Sequence, residues 1–162
     1  MQKIIDDKKS QILVLEESIL LESFALYLPK FKLTSSDEYK NKLEQIREIQ
    51  KQLIKSDQAA NGSQSWTVNN SQAEGRKLVK DMMKLVLRAF NNECDYCVDN
   101  VKFNNIETHE KRINQSFDSL NKLGRIMQVS ITDKYKKLKL DELHLAYEYQ
   151  IKKQEEKEEQ KK

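Results

Sequence analysis

Cys94 and Cys97, three residues apart, and the two histidines, His109 and His144, are the side chains of this sequence with the strongest intrinsic chemistry. Thiolate and imidazole are the ligands zinc prefers, and a C-x-x-C pair also serves thiol–disulfide exchange. Zinc sites use two compact ligand pairs, whereas more than thirty residues separate these histidines. Redox chemistry of the thioredoxin type needs a βαβ setting, which the sequence lacks. No metal or other cofactor is therefore expected. Glu93 has no second carboxylate or histidine at local spacing to make it a general acid. With Asn100, seven residues on, it falls inside an apolar helical arc, and both are expected to hydrogen-bond in the interior. His109 shares a stripe with Ile113 and Phe117 and reads as a hydrogen-bonded core or boundary histidine. Without a nucleophile–base pair or a Gly-rich phosphate loop, the chain is expected not to be an enzyme.

What remains is binding chemistry. Arg88, Asn91 and Asn92 in LRAFNNECD form a cluster of side-chain donors, and Asn104 and Asn105, after Lys102, repeat it. Arg and Asn donate equally well to phosphate, base edges and peptide groups. Lys40, Arg47 and Lys51, with Lys55, share one helical face that can track a nucleic-acid backbone. Trp66 offers a ring for stacking, and Arg76 a further cation. Each candidate has a plainer reading. The asparagines end and cap helices, Arg88 pairs with Asp95, and the basic face, which Glu44 interrupts, is the wet side of an amphipathic helix.

These residues need helices to position them. Three Gly and one Pro leave few turns, and Lys, Glu, Gln, Leu, Ile and Asn dominate. Ser35 with Glu38 forms a capping box that opens a helix to about Lys55, with Tyr39, Leu43, Ile46 and Leu53 inward. SDQAANGSQS is a loop, and the SWTV that follows is β-prone, with Trp66 anchoring a short strand. Ser71 and Glu74 open a second helix to about Val101, whose wide apolar arc marks it as the central one. Asn105 caps a third, to about Gln128, with Ile106, Ile113, Phe117, Leu120 and Met127 inward; Thr132 caps the last. FALYLPKFKL reads as an extended connector that packs on the core, since Pro29 forbids a continuous helix. Ile5, Ile12 and Ile19 repeat every seven residues with Leu15 between them, a short coiled-coil seam continuing a longer coil.

The expected fold is mainly α: a helical domain with a long central helix and a short β element near Trp66. Residues 1–22 end a coiled coil, 23–151 form a helical recognition domain, and 152–162 are a charged helical or frayed tail. Of the chain, 38% is hydrophobic and 34% charged, and the charge thins the core at the ends. Net charge is +3 from 29 basic and 26 acidic residues, too mixed for a strong global field. No window reaches the roughly 18–20 apolar residues a membrane span needs, and two cysteines so close together make no disulfide framework. A cytoplasmic chain is expected, with membrane association of a longer protein left open.

The words WTVNNSQAEGRKLVKD, LRAFNNECD, VKFNNIETHEKRI and LKLDELHLAYEYQIKKQEEKEEQ, in that order, resemble a domain-of-unknown-function family of bacterial and phage-encoded proteins. The resemblance runs from about Phe24 to the tail. In that family the domain follows a coiled coil and precedes, through a charged coil, a GIY-YIG-type nuclease domain associated with defence against phage. No paired GIY and YIG words occur here, so the resemblance implies a non-catalytic recognition and spacer domain. The partners it implies are a phage protein or nucleic acid, with no small-molecule substrate. A structural module that oligomerises through its coiled-coil ends is the alternative.

Overall fold

The computed structural model describes residues 27–161; the coiled-coil seam expected over residues 1–22 lies outside them. The chain divides into two compact units, residues 1–32 and 33–162. Of the first unit, residues 27–32 are described and carry no regular secondary structure, in keeping with Pro29.

The second unit is mainly α. Four helices, α1 (Ser36–Lys55), α2 (Gln72–Asn100), α3 (Ile106–Leu123) and α4 (Asp133–Gln160), are accompanied by two short strands, β1 (Ala60–Asn61) and β2 (Ser130–Ile131). Three helices start where a hydroxyl satisfies a free backbone N–H: Ser35 accepts from the amide of Glu38, Ser71 from Glu74, and Thr132 from Tyr135. The first capping box is shifted by one residue, because the Glu38 carboxylate takes the amide and hydroxyl of Thr34, each at 2.8 Å. Those donors hold the Glu38 carboxyl below its usual range.

β1 and β2 pair antiparallel, Ala60 with Ile131 and Asn61 with Ser130, just before the Trp66 loop; Trp66 itself lies outside the strand. Asn121 extends this small sheet by accepting from the amide of Ile131 at 2.7 Å. α3 stops at Leu123, earlier than the expected Gln128. The Val129 carbonyl approaches so closely over Gly124 that a Cβ there would meet it at 2.4 Å, and the chain continues as a short 3-10 turn over Arg125–Met127.

Helix pairing is antiparallel and can be followed residue by residue. Along α1, Ser36, Tyr39, Arg47 and Gln50 meet Glu156, Glu148, Glu142 and Leu138 of α4 in turn. Along α2, Phe90, Glu93 and Tyr96 meet Phe117, Arg112 and His109 of α3. Phe90 and Tyr135, with ring centroids 6.2 Å apart, close the bundle between α2 and α4.

The helix covered on every side is α4, not α2. It buries Tyr135, Leu138, Leu143, Leu145, Ala146 and Tyr147, and with them Lys139, Asp141, Glu142 and Glu148. Three helices surround it, so even its polar faces are enclosed. α2 buries one stripe, Val79, Val86, Phe90, Cys94, Cys97 and Val98, and leaves Leu85 on the opposite side 61% exposed. Glu93 and Asn100 are not interior: Glu93 forms a partly exposed ion pair with Arg112, and Asn100 is exposed, donating to the Tyr96 carbonyl at 2.8 Å.

Candidate functional site

Cys94 and Cys97 are free thiols, both fully buried in the core. Burial pushes both up from the ordinary thiol range, so neither is a ready thiolate. His109 is buried beside the Tyr96 ring, and its Nδ1 has no hydrogen-bond partner among the described residues. His144 lies on α4 with its Nε2 3.6 Å from Glu110. Among the described residues no group of three or more His, Cys, Asp or Glu side chains is placed to hold a metal ion.

The structure scatters the residues expected to bind. Lys40 and Lys51 are exposed on α1, but Arg47 between them is held by Glu142 at 3.0 Å. Asn91 accepts from the Tyr135 hydroxyl at 2.6 Å and is thus part of the α2–α4 joint. Burial chiefly pushes that phenol above its ordinary range. Asn105 sits at the start of α3 without capping it: its Oδ1 accepts from the Lys102 amide at 2.6 Å and its Nδ2 donates to the Asn100 carbonyl. Asn104 is exposed beside it with φ 75°, a left-handed turn residue. Trp66 is half-buried in the loop that crosses the start of α2. Gly75 permits that crossing, for a Cβ there would lie 1.7 Å from the Trp66 carbonyl oxygen.

Arg76, Arg88 and Asn92 remain, all exposed on α2, and the helix joins Arg76 and Arg88 to two further cations, Lys80 and Lys84. Arg76, Lys80, Lys84 and Arg88 are each four residues apart, which places them along one inclined ridge of the helix surface. The ridge spans about 18 Å at the helical rise. Arg88 makes no pair with Asp95, and none of the four takes part in an ion pair among the described residues. The four-residue spacing was the available signal.

Two shallow depressions flank the ridge where the loop after α1 meets α2. The first, about 340 Å³, is lined by Arg76 and Lys80, by Asn61, Ser63 and Gln64 from the loop, and by Val79 and Met83 beneath. The second, about 320 Å³, is lined by Lys80, Asp81 and Lys84 with Ile54, Ala59 and Leu87. Asp57, Ala60, Lys80 and Met83 line both. The loop wall is fixed in place, since the Ser63 amide donates to the Met127 carbonyl at 2.9 Å and the Thr132 amide to Ala59 at 2.9 Å. A polar wall and an apolar floor are bordered by a rim in which the cations Arg76, Lys80 and Lys84 outnumber the acids Asp57 and Asp81.

With this geometry in view, the family comparison is decisive about kinship. The family model of the SNIPE associated domain matches residues 36–154. The chain belongs to that family. Its match begins at the first residue of α1 and ends inside α4, so it takes in α1 to α3, α4 as far as residue 154, the small sheet, the cationic ridge and both depressions. No curated protein and no solved structure matches the chain. No described helix is long and apolar enough to cross a membrane.

Proposed function

We propose that this SNIPE associated domain is a non-catalytic recognition and spacer module of a modular GIY-YIG-type anti-phage nuclease. In this reading it binds a phage component or nucleic acid and sets the position of the nuclease. The observation that carries it is α4. Over Tyr135–Glu148 this helix is the enclosed axis of the domain, and it then runs on without a break to Gln160 as a charged, largely exposed rod with Tyr149, Ile151, Lys152 and Glu156 half-buried. Glu156 takes the amide and hydroxyl of Ser36 at 2.8 and 2.7 Å, so the rod stays bound to the start of α1 for most of its length. A helix anchored in a core transmits orientation, whereas a flexible linker transmits only distance. The family's name, an associated domain, fits a part that accompanies another, and the resemblance to a domain preceding a nuclease supplies the nuclease.

Helical phase tests this reading. In the natural protein, two alanines inserted after Lys157 turn whatever follows by about 200°, and four bring it back to within about 40°. Positioning predicts that protection against phage is lost with two residues and largely regained with four. Equal protection from both insertions refutes it.

A further inference from the structure

The cationic ridge is locally unfavourable to the helix that carries it. Like charges four residues apart repel across one turn. The first part of α2, residues 72–88, holds Arg76, Lys77, Lys80, Lys84 and Arg88 against Glu74 and Asp81; residues 89–100 hold Glu93, Asp95 and Asp99 and no cation. Lys80 is the extreme case, since the charged residues three and four positions from it are Arg76, Lys77 and Lys84, all cations. Positions that break a local rule without compensation inside the fold point to a demand from outside it.

We infer that the ridge Arg76–Lys80–Lys84–Arg88 binds the phosphodiester backbone of duplex nucleic acid. This deepens the recognition reading above and rests on it. A rigid row of exposed cations about 18 Å long covers the rise of roughly five base pairs, and a helix offers it as a protruding edge rather than a closed pocket. The adjoining loop adds the neutral donors Asn61, Ser63 and Gln64, the side chains that complete phosphate and sugar contacts. Contacts of this kind position a protein on a duplex without reading its sequence, as a domain that presents a nuclease requires.

The test is binding of the purified chain to a short fluorescent duplex of arbitrary sequence, titrated with salt, beside thermal melting of the same samples. Four phosphate contacts predict a slope of log K against log salt near −3.6, a loss of roughly 150-fold between about 50 and 200 mM. Lys80→Gln is expected to weaken binding about eightfold at 0.1 M salt and to reduce the slope by about 0.9. Lys80→Glu should weaken it further while raising the melting midpoint by a few degrees, because three repulsions become attractions. Weaker binding in a more stable protein separates a contact from a folding defect. The inference is overturned if the duplex does not bind at low salt, if Lys80→Gln and Lys80→Glu bind as wild type does, or if polyglutamate of equal charge competes as well as the duplex. The last result assigns the ridge to an acidic protein surface. None of these results bears on the phase test, so the ridge and the positioning role can fail separately.

Discussion

Truncation of Glu142 to alanine is expected to destabilise the fold by about 3–5 kcal/mol, the range for removing one partner of a buried ion pair. Glu142 lies on the enclosed axis helix, with 6% of its side chain exposed. Its Oε1 accepts from Gln50 at 3.0 Å and lies 3.8 Å from the Lys139 ammonium, itself 7% exposed; its Oε2 accepts from Arg47. The three partners respond differently. Gln50 keeps its bond to the Leu138 carbonyl at 3.2 Å and adds about 1 kcal/mol or less. Arg47, with 54% of its side chain exposed, turns to water at little cost. Lys139 is left as a buried cation facing the Tyr135 ring, 5.4 Å away, and it carries most of the loss. Against a total stability of about 5–15 kcal/mol the effect is large. Urea denaturation followed by circular dichroism measures it. Arg47→Ala should cost under about 1 kcal/mol, and adding Lys139→Met to Glu142→Leu should recover much of the loss. An Arg47→Ala penalty equal to that of Glu142→Ala, or a Glu142→Ala penalty below about 1 kcal/mol, refutes the assignment of the buried charge to Lys139.

Gly75→Ala forces the Trp66 loop away from α2, and overpacking of this kind costs about 1–3 kcal/mol. Trp66 is the sole tryptophan, so a red shift in emission reports the displacement, and unchanged emission at full stability contradicts it. Cys94 and Cys97 should react with thiol reagents only at the rate of opening, because burial raises both thiols; fast labelling of the native chain contradicts their burial. The Glu156 carboxyl is held below its usual range chiefly by the two donors of Ser36. A lowered folded value means that the bond's contribution is full above the ordinary carboxylate range and lost as pH falls through the lowered one. The protection factor of the Ser36 amide, its exchange relative to the intrinsic rate at each pH, should therefore fall in acid, and Glu156→Gln should reduce it at neutral pH.

The caps at Ser35, Ser71 and Thr132 could be read directly, because capping is decided within four residues. The rank of the helices could not. α4 carries Lys139, Asp141, Glu142 and Glu148, which local periodicity assigns to solvent and the surrounding helices enclose; Glu142 and Glu148 take partners on α1 that lie 92 and 109 positions away. Separation along the chain also hid the partners of two candidate residues. Asn91 is taken by Tyr135 and Arg47 by Glu142, partners no local spacing reveals. Arg76 and Arg88 were legible as isolated cations, and their four-residue spacing with Lys80 and Lys84 on an expected helix was legible too; that the ridge is open to solvent and unpaired was not.

We propose that this chain recognises and positions but does not cut. One experiment follows duplex DNA held at low salt with the purified chain and magnesium or manganese, recording anisotropy and strand integrity in the same sample. The account predicts raised anisotropy that falls with salt and strands that stay intact. Metal-dependent cleavage contradicts it outright, and intact strands with no rise in anisotropy withdraw the duplex as the ligand.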